Sequence, residues 1–398
     1  MEKQTDVATL GDVLTDTGAM AALRQRGPIH RILLPTGTPA WLVVGHQEVM
    51  TALGDPRLSV AAMLEAGALD GGTLTPEQRN ALLKGLTTTD GADHTRLRKL
   101  VSRVFTARRV EALRPRISQL TDELIAGFAD SGRVELMTQF ATPLPMLVIC
   151  ELLGVPETDR PRFGAWSRAL MSGFGTPDFP VDAAVQFTAY LRGLIADKRE
   201  RPDGGLLSAM VQACDEGDRL SENELCSMSF LMIVAGHETT VGLIGNGMWL
   251  LMTEPDRAQR LRADPGLIPG AVEEFLRLDS PVPFANIRAA LSPVDIGGTR
   301  VEPGELVMLG LQSANRDESQ FAAADQLDMT RTSGRHMAFG HSIHYCLGAP
   351  LARLEGELAI GTLLRRFPDL RLAVPAAELT WSQSMFVHRL DALPLAFG

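Results

Sequence analysis

Apolar positions along this chain recur mainly at intervals of three and four, the period of a helix with one buried face. Thr95–Phe105, Val110–Phe128 and Phe187–Arg199 follow it, as does the mostly apolar Pro143–Leu153, with Pro156 just beyond. The clearest start signal is Ser221-x-x-Glu224, a capping box whose hydroxyl and carboxylate satisfy free amides of a first turn. From there the pattern runs to about Met252, ending before Pro255. That is more than twice an average helix of about 12 residues, so it must cross most of the molecule with a buried middle. Helices are also expected over Pro269–Leu278 and Ala349–Phe367. β-type runs are short. Arg31–Leu34 and Trp41–Val44 flank Pro35-Thr36-Gly37-Thr38-Pro39, a hairpin signature, and Val294–Ile296 and Leu306–Leu311 stand between Gly and Pro turns. The C-terminal stretch reads as β-turns. The pattern predicts a mostly α fold with small peripheral β-sheets.

Composition narrows the function classes. The chain has 398 residues, 45% hydrophobic and 22% charged, an ordinary globular balance. Its 38 Lys+Arg against 48 Asp+Glu give a net charge of −10, the wrong sign for coating nucleic acid. With 5% aromatic residues, the core is built from aliphatic side chains and 16 Met. The four Cys (Cys150, Cys214, Cys226, Cys346) are scattered without a CxxC, which argues against a disulfide framework and for a reducing cytoplasm. The sequence offers no secretory signal pattern. Phe230–Gly236 and Val241–Met252 are separated by His237-Glu238, so no membrane span of about 20 apolar residues is expected.

Several segments carry candidate chemistry. Cys346 lies in Phe339-Gly-His-Ser-Ile-His-Tyr-Cys-Leu-Gly348, just before a helix opening at Ala349-Pro350. Free amides and the positive end of that helix favour thiolate, and a lone thiolate facing an apolar interior suits an axial haem ligand. An ordinary buried Cys is the bland alternative. His341, His344 and Cys346 do not form a usual zinc spacing. Gly340-His-Ser342-Ile-His344 approaches a hydrolase nucleophile elbow, but its final Gly is missing and only His388 remains downstream. In mid-helix, Ala235-Gly236-His237-Glu238-Thr239-Thr240 puts Gly, a carboxylate and two hydroxyls where a buried helix prefers none of them. Threonines there can bond back to the carbonyl four residues earlier and bend the helix. This suggests a groove admitting a small ligand and water, or a packing defect with a buried hydrogen bond. Glu274-x-x-Arg277 and His94-x-x-x-Arg98 each share one helical face, and taken alone either is a solvated surface. Arg96, Lys99, Arg103, Arg108 and Arg109 make a locally basic strip fit for phosphates or an acidic protein.

Taken together, the order and spacing of these segments resemble a soluble bacterial cytochrome P450 over essentially all 398 residues. The most specific piece is Phe339-Gly340-x-x-x-His344-x-Cys346-x-Gly348, followed by Ala349-Pro-Leu-Ala-Arg-Leu-Glu355. Ala235–Thr240 and Glu274–Arg277 match two further family motifs. The run Pro269–Arg277 is similar to actinobacterial members that tailor macrolides and other secondary metabolites. The resemblance implies one domain over 1–398, with a β-rich subregion near 30–45 and 285–310 and a long central helix over haem b. It implies Cys346 as the metal ligand and Glu238 with Thr239 as the proton-delivering pair. Cofactor contacts would come from His94, Arg98, Ala235, Gly236, Arg288, Phe339, Gly340, His344 and Gly348. Glu274 and Arg277, with Arg331 of Asp328-Met-Thr-Arg331, would form a structural ion-pair triad. One departure stands out: Ser342 takes a position that is usually Gly in the family, strained if that residue needs positive φ.

The implied reaction inserts one oxygen atom from O2 into a C–H bond, or epoxidises, with electrons from a separate ferredoxin or flavodoxin and its reductase. The basic strip and Arg353 would face that partner. Pocket walls would come from Met63–Leu86, Met171–Phe179, Met232, Ala235, Val282–Asn286 (with Val282, Phe284 and Ala285) and Met385-Phe386, which favours a bulky, mostly apolar substrate. A cytoplasmic monomer engaging neither nucleic acid nor membrane is expected. The competing readings are a serine hydrolase using Ser342 and a catalytically silent haem-binding homologue.

Overall fold

The computed structural model describes residues 10–11, 17–66, 72–173, 178–215, 220–332, 334–382 and 384–398. Five helices position the site: α1 (Gly91–Val104), α2 (Pro143–Leu153), α3 (Glu222–Met252), α4 (Ile268–Leu278) and α5 (Ala349–Arg366). Around them lie shorter helices, among them Thr17–Arg26, Arg160–Gly173, Leu206–Asp215 and Pro255–Ala263, which periodicity alone did not single out. The expected mostly α fold with small sheets is what forms.

α3 begins where the sequence places it. Ser221 Oγ accepts from the Glu224 amide at 3.2 Å, and Glu224 Oε2 accepts from the Ser221 amide at 2.7 Å. Leu225–Phe230 and Thr240–Met248 are buried without interruption. An unbroken run of buried residues means that every face of the helix is covered, and α2, α4, α5 and the helix Pro76–Leu82 pack on it. By length and composition α3 could cross a bilayer, but 67% of its most apolar window is buried inside the protein, as befits a core helix. The stretch Val110–Phe128, which reads as one helix, is two: Ala107–Glu111 and Arg114–Ala126. Pro115 sits in the first turn of the second, where its missing amide is tolerated and a continuous helix would not be.

The main sheet has five strands: β1 (Ile29–Leu33), β2 (Pro39–Val43), β3 (Leu58–Ser59), β4 (Arg288–Ala290) and β5 (Leu306–Leu309), in the order β1-β2-β5-β4-β3. β1 and β2 form the expected antiparallel hairpin, with Ile29 opposite Val43 and Leu33 opposite Pro39. β2 runs parallel to β5, while β4 pairs antiparallel with β5 and with β3. This registry places Arg288 opposite Val307 and carries its buried side chain inward. Leu311 does not extend β5. It starts a short helix, Leu311–Ala314. Arg133–Glu135, Pro394–Ala396 and Arg371–Leu372 form a second sheet, and Val294–Ile296 pairs with Thr299–Val301.

The Ser221 cap makes the start of α3 testable. Ser221→Ala should cost about 1 kcal/mol of stability in denaturant unfolding, with an unchanged slope.

Candidate active site

A cavity of about 310 Å³ opens between α1, α3, the start of α5 and the segment leading into β4. Its wall combines aliphatic side chains of α2 and α3 with a small set of polar groups that converge from distant parts of the chain. Cys346 is the sulfur at this wall. Its side chain is open to the cavity.

The loop before α5 is shaped to present that sulfur. The Cys346 amide donates to the Phe339 carbonyl at 2.8 Å, closing the loop on itself. Gly340 takes φ +72°, the left-handed region that glycine enters freely. Ser342 takes φ +61°, so the position does require the conformation that its serine disfavours. The amides of Gly348 and Ala349 donate to the sulfur. Burial pushes the thiol up, and those amides, with Arg98 and Arg353, oppose the push. Gly348 itself has helical φ of −79°, so its backbone does not demand glycine. The Phe339 ring lies under the Arg353 guanidinium at 4.6 Å, and Arg353 is held in turn by Glu273 at 2.6 and 2.9 Å.

Four nitrogen-bearing side chains gather along one edge. His94 and Arg98 lie one turn apart on α1, Arg288 comes from β4, and His344 from the Cys loop. The His94 and His344 rings meet edge to face at 4.5 Å. His94 is 2% exposed, and its Nε2 has no partner. Arg288 donates Nη1 to the Ala52 and Leu53 carbonyls at 3.1 Å, while its Nε is also unpartnered. Arg98 donates to the Tyr345 carbonyl at 2.7 Å. Burial, with His344 and Arg98 nearby, pushes His94 down to about 4. Burial also lowers Arg98 and Arg288. Asp90 provides an anion: it reaches His344 at 3.4 Å and accepts from Ser59 Oγ at 2.7 Å and the Ala61 amide at 2.9 Å. Burial raises Asp90, but these donors outweigh it and bring it to about 2. Desolvated donors without protein partners call for anionic groups in the cavity. An apolar macrocycle with an iron facing sulfur and carboxylates at one edge fits this donor set.

α3 turns Ala235, Gly236, Thr239 and Thr240 toward the cavity, positions that share one helical face. A Cβ at Gly236 would fall 2.7 Å from the Cδ1 tip of Ile149, so α2 packs close on this glycine and a larger residue would have to turn that side chain aside. Both hydroxyls bond back as expected: Thr239 Oγ1 donates to the Ala235 carbonyl and Thr240 Oγ1 to the Gly236 carbonyl at 2.9 Å. Glu238 is not on the cavity wall, because a helix rotates each residue about 100° from the last. It is buried behind, where Arg389 donates Nε to its Oε2 at 3.1 Å and His237 Nδ1 lies 3.5 Å from Oε1. His237 is fully buried and bonds the Thr142 carbonyl through Nε2 at 3.0 Å. Burial lowers its pKa, opposed by Glu238.

The expected triad forms away from the cavity wall. Arg277 donates to both oxygens of Glu274 at 2.7 and 2.9 Å, and Arg331 donates to Glu274 Oε1 at 3.0 Å. The Asp328 amide and the carbonyls of Asn315, Ala324 and Gln326 complete the network.

Of the expected pocket residues, Met232, Val282, Phe284 and Ala285 line the cavity. Met385 and Phe386 do not: Met385 packs against the cluster containing Phe284 and Met308. From Met63–Leu86 only Leu86 reaches the wall among the described residues, and much of Met171–Phe179 lies outside them. The hydrolase reading fails on geometry. Ser342 sits in a 3-10 turn, and His388 is engaged with Asp279 at 3.0 Å and stacked on Trp381. Among the described residues no three His, Cys, Asp or Glu side chains form a metal cage, which leaves the zinc reading without support. Asp90, Glu273 and Arg389 were not visible in advance, since each acts through a partner far along the chain.

The sequence profile of the family described as Cytochrome P450 matches residues 266–372. A vitamin D(3) 25-hydroxylase of Pseudonocardia autotrophica is 46% identical over 390 residues, covering 96% of this chain and 93% of that protein. A mycinamicin IV hydroxylase/epoxidase of Micromonospora griseorubida is 40% identical, covering 96% of each. The solved structure of the tirandamycin C-bound P450 monooxygenase TamI superposes with a TM-score of 0.89 at 43% identity, covering 98% of this chain and all of the other.

Two substitutions test this geometry. Glu274→Ala leaves two buried guanidinium groups without their carboxylate and should cost about 3–5 kcal/mol in denaturant unfolding. At Ser342, relief of left-handed strain worth about 1 kcal/mol opposes glycine's extra chain entropy of about 0.5–1 kcal/mol. Ser342→Gly should therefore leave stability nearly unchanged, whereas the β-branched Ser342→Val should lose more than about 1 kcal/mol.

Proposed function

The chain belongs to the cytochrome P450 family, and on that footing we propose that Cys346, as thiolate, would hold the iron of haem b. The protein is a haem-thiolate monooxygenase that inserts one atom of O2 into a C–H bond or epoxidises. When bound, the haem supplies the activation of O2 that no side chain can supply. The observation that carries the assignment is the meeting of Cys346 with four nitrogen donors, His94 and Arg288 buried and Arg98 and His344 half-buried, on one apolar cavity.

The chain's own residues divide the remaining work. His94, Arg98, Arg288 and His344 bind the cofactor's carboxylates, which restore the partners that His94 Nε2 and Arg288 Nε lack. The amides of Gly348 and Ala349 favour the ionised form of the sulfur against the opposing effect of burial, and Phe339 lies beside it. Thr239 positions a proton at the cavity wall. To do so its hydroxyl leaves the Ala235 carbonyl, which it occupies at rest. Glu238 stands behind as the reserve of protons, joined to Arg389, whose partly exposed side chain reaches toward solvent. The triad of Glu274, Arg277 and Arg331 fixes α4 to the segment that leads into the Cys loop.

The substrate is a bulky, mostly apolar small molecule of the macrolide or polyketide kind. Aliphatic walls from Met232, Val282, Phe284 and Ala285 support this, and so do relatives named for mycinamicin IV and tirandamycin C. Electrons come from a ferredoxin or flavodoxin with its reductase. Exposed Lys99 and Arg103 of α1, with Arg108 and Arg109 of the helix Ala107–Glu111, provide the complementary charge. The enzyme works as a cytoplasmic monomer.

The deciding experiment is the carbon monoxide difference spectrum of the reduced protein. Wild type should show the strongly red-shifted Soret band of thiolate-ligated haem, and Cys346→Ala should lack it. A colourless wild type that haem cannot reconstitute would overturn the assignment. Thr239→Ala should keep the band while product formation falls about 100-fold and electrons appear as hydrogen peroxide; unchanged coupling would remove Thr239 from proton delivery. Combining Lys99→Glu with Arg103→Glu should slow reduction by the partner about tenfold at low salt and flatten its salt dependence, with the carbon monoxide spectrum intact.

A further inference from the structure

Glu355 belongs to none of the roles assigned so far, yet it is the most isolated carboxyl in the cavity wall. It lies on α5, 1% exposed, on the wall shared with Cys346. Its Oε2 has no hydrogen-bond partner. No charged group on the elements packed around α5 acts on Glu355: Arg262 of the helix Pro255–Ala263, whose Nη1 lacks a partner, contributes nothing to it, and other charges there have partners of their own. Glu274 and Arg277 of α4 bind each other, Glu273 binds Arg353, and Glu238 of α3 binds Arg389. Arg114 binds Glu111 and approaches Glu357. Burial alone pushes Glu355 up, to about 8, and no charged neighbour contributes. A carboxylate in such a place would be an unpaired buried charge, which proteins avoid by neutralising the group. A neutral carboxylic acid must still donate its proton. With no protein acceptor at Oε2, the partner consistent with a polar spot in an enclosed cavity is an ordered water.

We propose that Glu355 serves the cofactor cavity as an un-ionised carboxylic acid bound to an internal water, and that its ionisation is the event that loosens the cofactor at alkaline pH. The first half concerns the polypeptide alone. The second rests on the reading of the cavity as the haem site. An ionised Glu355 would add a negative charge to a dry pocket that already receives a thiolate and the cofactor's carboxylates, and like charges there repel with little screening.

The sign of the pH effect on stability follows from proton counting. The unfolded chain releases the Glu355 proton near the ordinary glutamate value of 4.5, and the folded chain keeps it to about 8. Folding therefore grows less favourable as pH rises through that window and levels off above it. Relative to Glu355→Gln, the wild-type unfolding constant should increase about tenfold per pH unit between about pH 5 and about pH 8.

Two measurements on the full-length holoenzyme test the proposal. Infrared spectra at neutral pH should contain a C=O stretch of an un-ionised carboxyl that shifts in D2O and is missing from Glu355→Gln. Its absence from wild type would overturn the first half. Haem transfer to excess apomyoglobin should accelerate about tenfold in wild type above about pH 8 and stay flat in Glu355→Gln. The same acceleration in both proteins would overturn the second half. If Glu355→Gln does not fold, Glu355→Asp supplies the assignment by displacing both the stretch and the midpoint of release. A chain that folds, shows the stretch and takes up no haem would overturn the cofactor reading, and the second half with it, while the first half stands.

Discussion

A helix buried on every face dictates the arrangement of everything around it. α3 has 31 residues, a length of about 46 Å at 1.5 Å per residue, and most of its side chains are out of solvent. No single layer of neighbours can cover such a surface, so α2, α4 and α5 pack around it and the small sheet lies off to one side. The cavity forms beside Ala235, whose small side chain leaves volume that Leu or Met would have filled, while Ile149 of α2 closes on Gly236. The same stretch of α3 puts threonine hydroxyls at the cavity wall. Space and polarity at the reaction centre thus have one local cause.

Charge inside the protein is handled in two opposite ways. The network of Glu274, Arg277 and Arg331 is closed: each oxygen of the carboxylate is taken, and backbone carbonyls absorb the remaining donors. A complete buried network of this kind costs desolvation and returns a unique geometry. The edge formed by His94, Arg98, Arg288 and His344 is open, with Asp90 as its nearby anion and donors left over. An open set has the character of a binding site, since only a ligand completes it. The contrast separates framework from site without reference to any relative.

The elements that carry local signals were readable in the chain. The capping box fixed the start of α3, Pro143 and Pro156 bracketed α2, and the Gly37 turn closed the first hairpin. The Cys loop and the triad were readable through the resemblance to a family whose motifs they match; taken alone, Glu274-x-x-Arg277 is a solvated pair. What was not readable depends on contacts that spacing does not encode. The break between Glu111 and Arg114 needed weight given to Pro115 over a continuous apolar period. Met385 was expected at the pocket and packs with Phe284 and Met308 instead, because either apolar environment satisfies a methionine. Glu238 was expected to share proton delivery with Thr239; that helical rotation turns it from the wall toward Arg389 is something adjacency in sequence does not encode.

That pairing has a consequence for how the protein is made. Glu238 and Arg389 are 151 residues apart in the chain, and the segment that carries Arg389 docks through His388 on the Asn246 side chain and the Pro281 carbonyl. Contacts of such separation form late, because the loop-closure entropy is met only after local elements exist. A collapsed intermediate can therefore own a complete α3 and a complete Cys loop while Glu238 still lacks its counter-charge. The edge of the cavity depends on contacts of still longer separation, His344 with Asp90 across 254 residues and Arg288 with Ala52 across 236, so the open donor set and the Glu238–Arg389 pair both await the same late docking.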